Sequence, residues 1–167
     1  MEERIFREMR RKRQQLSEDE CIMILENSTS GTLALIGDGG YPYAVPLSYV
    51  YSNGKIFFHS ALTGHKIDAV KNNEKVSFCV IDKDDIKPEK FTTYYRSVII
   101  FGKARILNND TEKRAAIELL TEKYSPDFKK EGVEEIEREF DKFSMIEILI
   151  EHITGKQGKE LVSKEKL

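Results

Sequence analysis

GKIFFHSALTGHKIDAVKNNEKVSFCV occupies residues 54–80. Lys55 to Ser60 alternates with the period of a strand. Ala61 to Gly64 is a short loop, and His65 to about Asn72 reads as a small helix with Ile67 and Val70 inward. Glu74 to Asp82 is another strand. Val76, Ser77, Phe78, Cys79, Val80 and Ile81 leave it no polar face, so burial on both sides is predicted. Ser52-Asn53-Gly54, just ahead, is a hairpin signal because Asn and Gly accept positive φ.

Outward from this stretch the pattern stays antiparallel. Thr32 to Ile36 reads as a strand and Gly37-Asp38-Gly39-Gly40 as a turn. Tyr41 to Tyr51 reads as one long strand with Tyr41, Tyr43, Val45, Leu47, Tyr49 and Tyr51 on one face. Pro42 and Pro46 lie on the other face and lack an N–H, which predicts an edge or a non-paired stretch. Ser17 and Glu20 form a capping box before a short helix carrying Cys21, Ile24 and Leu25.

Downstream, Lys83 to Lys90 is charged, contains Pro88 and reads as a loop. Thr92 to Leu107 is a long strand, bent near Gly102. Asn109 or Asp110 caps a helix ending at Pro126, with Ala116, Ile117, Leu120 and Tyr124 inward. Gly132 separates off a short acidic helix, Val133 to Phe140. Phe143 to His152 is the last strand. Strands joined by short turns point to a mainly β, antiparallel barrel of Greek-key type with peripheral helices.

The chain has 167 residues, 27 Lys+Arg against 29 Asp+Glu, and a net charge of −2. That size predicts one domain, residues 16–155, between a basic arm (1–15) and a tail (156–167). The near-balance of charge speaks against binding nucleic acid by bulk electrostatics. No apolar run reaches the roughly 20 residues of a membrane span. The start, MEERIFREMRRKRQQ, lacks a signal-peptide core, so a cytoplasmic location is expected. Two cysteines, Cys21 and Cys79, are too few and too distant for a disulfide framework or a zinc site, so no metal is expected. Both read as buried and inert.

The candidate chemistry centres on His59 to Lys66. A strand end meets a helix start, whose first N–H groups lack internal partners and carry positive potential. Ser60 and Thr63 add hydroxyls and Lys66 adds a charge, which suits a phosphate group. A plain Thr-capped turn with a surface lysine is the other reading. His65 at a helix N-terminus favours the neutral imidazole. Such a ring beside a redox cofactor can pass a proton; a hydrogen-bonded surface histidine is the alternative. In Thr92 to Val98, Arg96 shares a face with Tyr94 and Val98, with Ser97 opposite. Arg96 must find an anion, either a cofactor phosphate or a carboxylate of the core. Lys103 and Arg105 read as solvated.

Taken together, four segments carry a family resemblance: GYPYAVPLSYVY (40–51), residues 54–80, FTTYYRSVIIFGKARI (91–106) and EHITGKQ (151–157). The chain resembles the nitroimidazole-resistance branch of the pyridoxamine 5'-phosphate oxidase-like flavin-binding split barrels. The resemblance implies a homodimer with FMN, or less often FAD, at the subunit interface. It implies that Val45, Pro46 and Leu47 lie along the flavin ring and that His59 and Ser60 meet the cofactor. It places Lys66 on the phosphate, His65 beside the flavin as the candidate functional residue, and Arg96 and Ser97 as the approach from the other subunit. The implied activity is reduction of small acceptors such as nitroaromatics. A non-catalytic carrier or sensor of flavin, haem or a deazaflavin is the alternative. The oxidases proper carry an Arg-rich motif where this chain has Ala44 to Tyr49, and a substrate-binding tail not found here.

Overall fold

The computed structural model describes residues 6–162. Four helices, α1 (Glu18–Asn27), α2 (His65–Asn72), α3 (Asp110–Tyr124) and α4 (Lys129–Glu139), surround seven strands. The strands are β1 (Ser30–Ile36), β2 (Pro42–Ser48), β3 (Val50–Ser52), β4 (Lys55–Ala61), β5 (Lys75–Lys87), β6 (Thr92–Ile106) and β7 (Phe143–Gln157). They form one antiparallel sheet in the order β2-β1-β5-β6-β7-β4-β3, open between β2 and β3. This is the expected split barrel. Among the described residues no helix is long and apolar enough to cross a membrane.

The local signals act as read in several places. Ser17 and Glu20 cap α1 reciprocally, with bonds of 3.2 and 2.7 Å. Asn53 and Gly54 take positive φ of 47° and 76° and close the β3–β4 hairpin. Pro42 and Pro46 lie on β2, which pairs only with β1. The Asn109 side chain caps α3 at 3.1 Å.

The long strand expected from Tyr41 to Tyr51 is instead broken at Tyr49. The Tyr124 hydroxyl accepts the Tyr49 N–H at 3.1 Å and lies 2.7 Å from the Tyr49 carbonyl, taking the place of a ladder partner. Tyr49 itself is fully buried and donates its hydroxyl to the Leu25 carbonyl at 2.9 Å. This corner sends β2 and β3 to opposite edges of the sheet.

Other boundaries also move. The charged segment expected as a loop from Lys83 continues β5 to Lys87, paired with Thr92 to Arg96 of β6. Backbone pairing holds a polar strand there without burial. β5 is not buried on both faces: Val76, Phe78 and Val80 are buried, whereas Ile81 is 66% exposed. Cys79 is only half-buried, on the open face, and burial raises its pKa; Cys21 is buried and its pKa rises to about 11 for the same reason. Gly132 lies inside α4 and does not precede it. A Cβ there would stand 2.6 Å from Thr121 Cγ2, so glycine lets α4 approach α3. β7 runs past His152 to Gln157, because Glu151 is an extra residue at the irregularity opposite Phe101 and Gly102. That bulge shifts the inward face from Ile146, Ile148 and Ile150 to Ile153 and Gly155.

Lys103 and Arg105 are paired, not merely solvated. Lys103 meets Glu74, and Arg105 meets Glu112 and the buried Glu147, which also holds Lys55 at 2.9 Å. In the basic arm, residues 1–5 lie outside the described residues. Phe6 stacks on His152 at 4.7 Å and Gln15 bridges to Lys156, whereas Arg10, Arg11, Lys12 and Arg13 are exposed.

The main core sits between the inward sheet face and α1 and α2, around Leu25, Leu33, Phe58, Phe78, Ile100 and Ile148. Each such side chain contributes about 1.5–3 kcal/mol relative to exposure. A second core seats α3 on the other face through Phe57, Leu120 and Met145. The outward face of β1, β2, β5 and the middle of β6 carries no helix. Cross-strand partners share a face, which aligns Pro46, Thr32, Cys79 and Ile99 there, with Ile81 and Phe101 beside them.

Candidate functional site

The site forms where β4 ends and α2 begins. Gly64 adopts φ 132° and ψ 169°, which a side chain rarely allows, and no side chain caps the helix. Thr63 therefore does not cap α2, so the plain-turn reading fails in its main feature. The first backbone N–H groups are left for a ligand or water.

Lys66 follows one residue into the helix. Its ammonium lies 5.9 Å from the centroid of the Phe58 ring. Among the described residues no carboxylate pairs with it. Burial lowers its pKa, so the charge is held at a cost that an anion would offset. A half-buried cation and an uncapped helix start together fit a phosphate group.

His65 is held by two contacts. Its ring stacks on Tyr43 of β2 at 4.2 Å, and its Nε2 accepts the Asp38 N–H at 3.2 Å. The Asp38 carboxylate is 3.8 Å from the same nitrogen. In the neutral ring this leaves the proton on Nδ1. Gly37 makes room, since a Cβ there would stand 2.7 Å from Nε2. Tyr43, Gly37 and Asp38 are the positioning residues that the sequence reading missed. The glycine-rich turn was legible, but not that it reaches His65.

The remaining expected residues divide. Val45 and Leu47 face inward on β2, half-buried, and Pro46 faces outward. Ser60 is buried on the core side of β4 with Phe58, whereas His59 is exposed on the opposite side, toward α3 and α4. Arg96 donates through Nε to Asp82 at 2.6 Å. Asp82 is the extra residue of a bulge in β5, between Ile81, opposite Ser97, and Lys83, opposite Arg96. The carboxylate reading of Arg96 is thus the one observed within this chain. Ser97 lies on the open outward face, paired with Ile81. The structure brings His65 to β2 through Tyr43 and sets Lys66 against Phe58 of β4, while His59 lies on the opposite side of β4 from Ser60 and Arg96 is engaged by Asp82. No group of three or more His, Cys, Asp or Glu among the described residues is arranged to hold a metal ion.

An open antiparallel barrel with a phosphate-suited helix start beside its split defines a class of small ligand-binding split barrels. The family model described as pyridoxamine 5'-phosphate oxidase matches residues 17–157, and the chain belongs to that family. No protein of curated function matches the sequence. Among solved structures, a FAD-binding protein of Mesorhizobium loti is 26% identical over 87% of this chain and 97% of its own, with a TM-score of 0.59. A candidate 5-nitroimidazole antibiotic resistance protein of Bacteroides thetaiotaomicron is 20% identical over 86% of each chain, with a TM-score of 0.72. The flavocytochrome Anf3 of Azotobacter vinelandii is 16% identical over 95% of this chain and 77% of its own, with a TM-score of 0.75. At these identities the last two bear on the fold.

Proposed function

We propose that the protein binds flavin, FMN in preference to FAD, as a homodimer and uses it to reduce small acceptors such as nitroaromatics. The observation that carries this reading is Lys66, a half-buried cation with no carboxylate partner among the described residues, at an uncapped helix start. The FAD-binding relative from M. loti and the flavocytochrome support a flavin ligand. The B. thetaiotaomicron relative supports a nitroimidazole-type acceptor. β2, from Pro42 to Ser48, carries no arginine, which speaks against pyridoxamine phosphate as the substrate.

When bound and reduced by an external electron donor, flavin would supply two electrons to the acceptor. Lys66 and the α2 N–H groups would hold its phosphate, and Val45 to Leu47 would flank its ring. His65, braced by Tyr43 and Asp38, carries a proton on Nδ1 for the acceptor or orients it. The uncovered outward face, with Ile81 and Ile99, is the surface for a second copy. From that copy Arg96 and Ser97 complete the pocket.

The test is flavin content and turnover of the purified protein. Yellow dimeric protein that reduces a nitroimidazole with a supplied electron donor supports the reading. Flavin retained without turnover moves the protein to the carrier class. Colourless protein that refuses added FMN and FAD ends the proposal.

A further inference from the structure

We propose that the groove between α3 and α4, floored by His59 of β4, is a ligand pocket for a planar apolar molecule carrying a positive charge. The groove has a volume of about 560 Å³, within the range of small-molecule sites. It lies on the opposite side of β4 from Ser60, and the proposal does not depend on the flavin reading.

The walls are apolar. Ile117 of α3, Phe128 before α4 and Phe143 at the start of β7 line it, and Phe128 is 61% exposed. Such exposed aromatic surface beside a concave site favours a flat ligand. Gly132 lets α4 approach Thr121 of α3, and Arg114 of α3 meets Glu137 of α4 at 2.8 Å, with the groove alongside.

The rim is acidic. Glu131, Glu135 and Glu139 recur at helical spacing along α4, and all three line the groove. No lysine or arginine lines it. Arg138 bonds Glu135 and Glu139, and Lys142 bonds Glu139, whereas Glu131 has no ion pair among the described residues. Glu131, unpaired among the described residues, is the free charge at the mouth and favours an ammonium over a carboxylate or phosphate there, whereas the Lys113 ammonium sits behind the wall, 4.5 Å from the Phe143 ring centroid.

The test is titration of the full-length protein by calorimetry at neutral pH with three probes: aminoacridine, a planar cation; its uncharged parent acridine; and acridine carboxylate. The cation is expected to bind about tenfold more tightly than the carboxylate. The Glu131→Gln/Glu135→Gln double variant changes only exposed side chains. It should remove that preference and leave the affinity for acridine unchanged. Phe128→Ala should weaken all three probes together. Equal affinities, absence of binding, or a cation preference that survives the double variant would overturn the proposal. Binding that weakens as protein concentration rises would assign the groove to a second copy of this chain, and would overturn it as well.

Discussion

The imidazole of His65 lies flat against the ring of Tyr43, with centroids 4.2 Å apart and planes 12° from parallel. The stack joins the first residue of α2 to the edge strand β2, and Gly37 closes the space behind it. Gly37→Ala would push a methyl into Nε2 without straining the backbone, because φ there is −88°. The expected result is stable protein that keeps flavin and loses turnover, as for His65→Ala. Either change should cost about 1 kcal/mol in urea unfolding, the worth of an aromatic pair. Unchanged nitro reduction in both would remove His65 from the mechanism.

Lys66 should oppose folding and favour binding. Its pKa is lowered by burial, so the charged form is disfavoured in the folded state. Below the folded pKa that penalty is fully present, and it fades as pH rises through that value. Lys66→Met should therefore raise the unfolding midpoint of flavin-free protein. The same variant should weaken FMN binding by about 10–100-fold, through loss of a charged hydrogen bond. Fluorescence titration with FMN and urea melts read the two effects separately.

The open sheet face makes a prediction about assembly. Ile99 is 42% exposed and Ile81 66% exposed, on the face that carries no helix. Ile99→Asp should convert dimer to monomer in light scattering and release flavin with it. A monomeric wild-type protein that holds flavin would contradict this.

Glu147 predicts the acid limit of stability. Burial raises its pKa, but hydrogen bonds from Arg105 and Lys55 outweigh that and hold it below the ordinary 4.5. Its contribution is present above the unfolded pKa and is lost as pH falls through the lower folded value. Glu147→Gln should cost about 1–3 kcal/mol at neutral pH and flatten the acid limb of the urea midpoint. A parallel pH profile for variant and wild type would rule this network out.

Much of the fold was legible because it rests on local chemistry. The Ser17–Glu20 box, the Asn53-Gly54 hairpin, the proline-marked edge of β2 and the β4–α2–β5 order depend on a few adjacent residues. The failures share a cause. β7 read as ending at His152 because one bulge residue, Glu151, reverses the alternation. β5 read as ending at Asp82 because Lys83 to Lys87 are held by β6 and not by burial. Tyr49 read as mid-strand because its break is made by a hydroxyl 75 residues away.

For the site the same division holds. Ser60, Thr63 and Lys66 made a phosphate-suited helix start one of two readings, beside a plain Thr-capped turn, since helix-end N–H groups exist in any helix. That Lys66 has no carboxylate partner among the described residues, that Arg96 has one in Asp82, and that His59 turns away from Ser60 required the assembled sheet. Sequence alone thus determined the antiparallel barrel through periodicity, turn residues and caps and its split form through the family resemblance, and it left the phosphate and capped-turn readings of the helix start side by side. Tertiary structure decided which side chains converge, because convergence depends on bulges, corners and contacts between residues far apart in the chain.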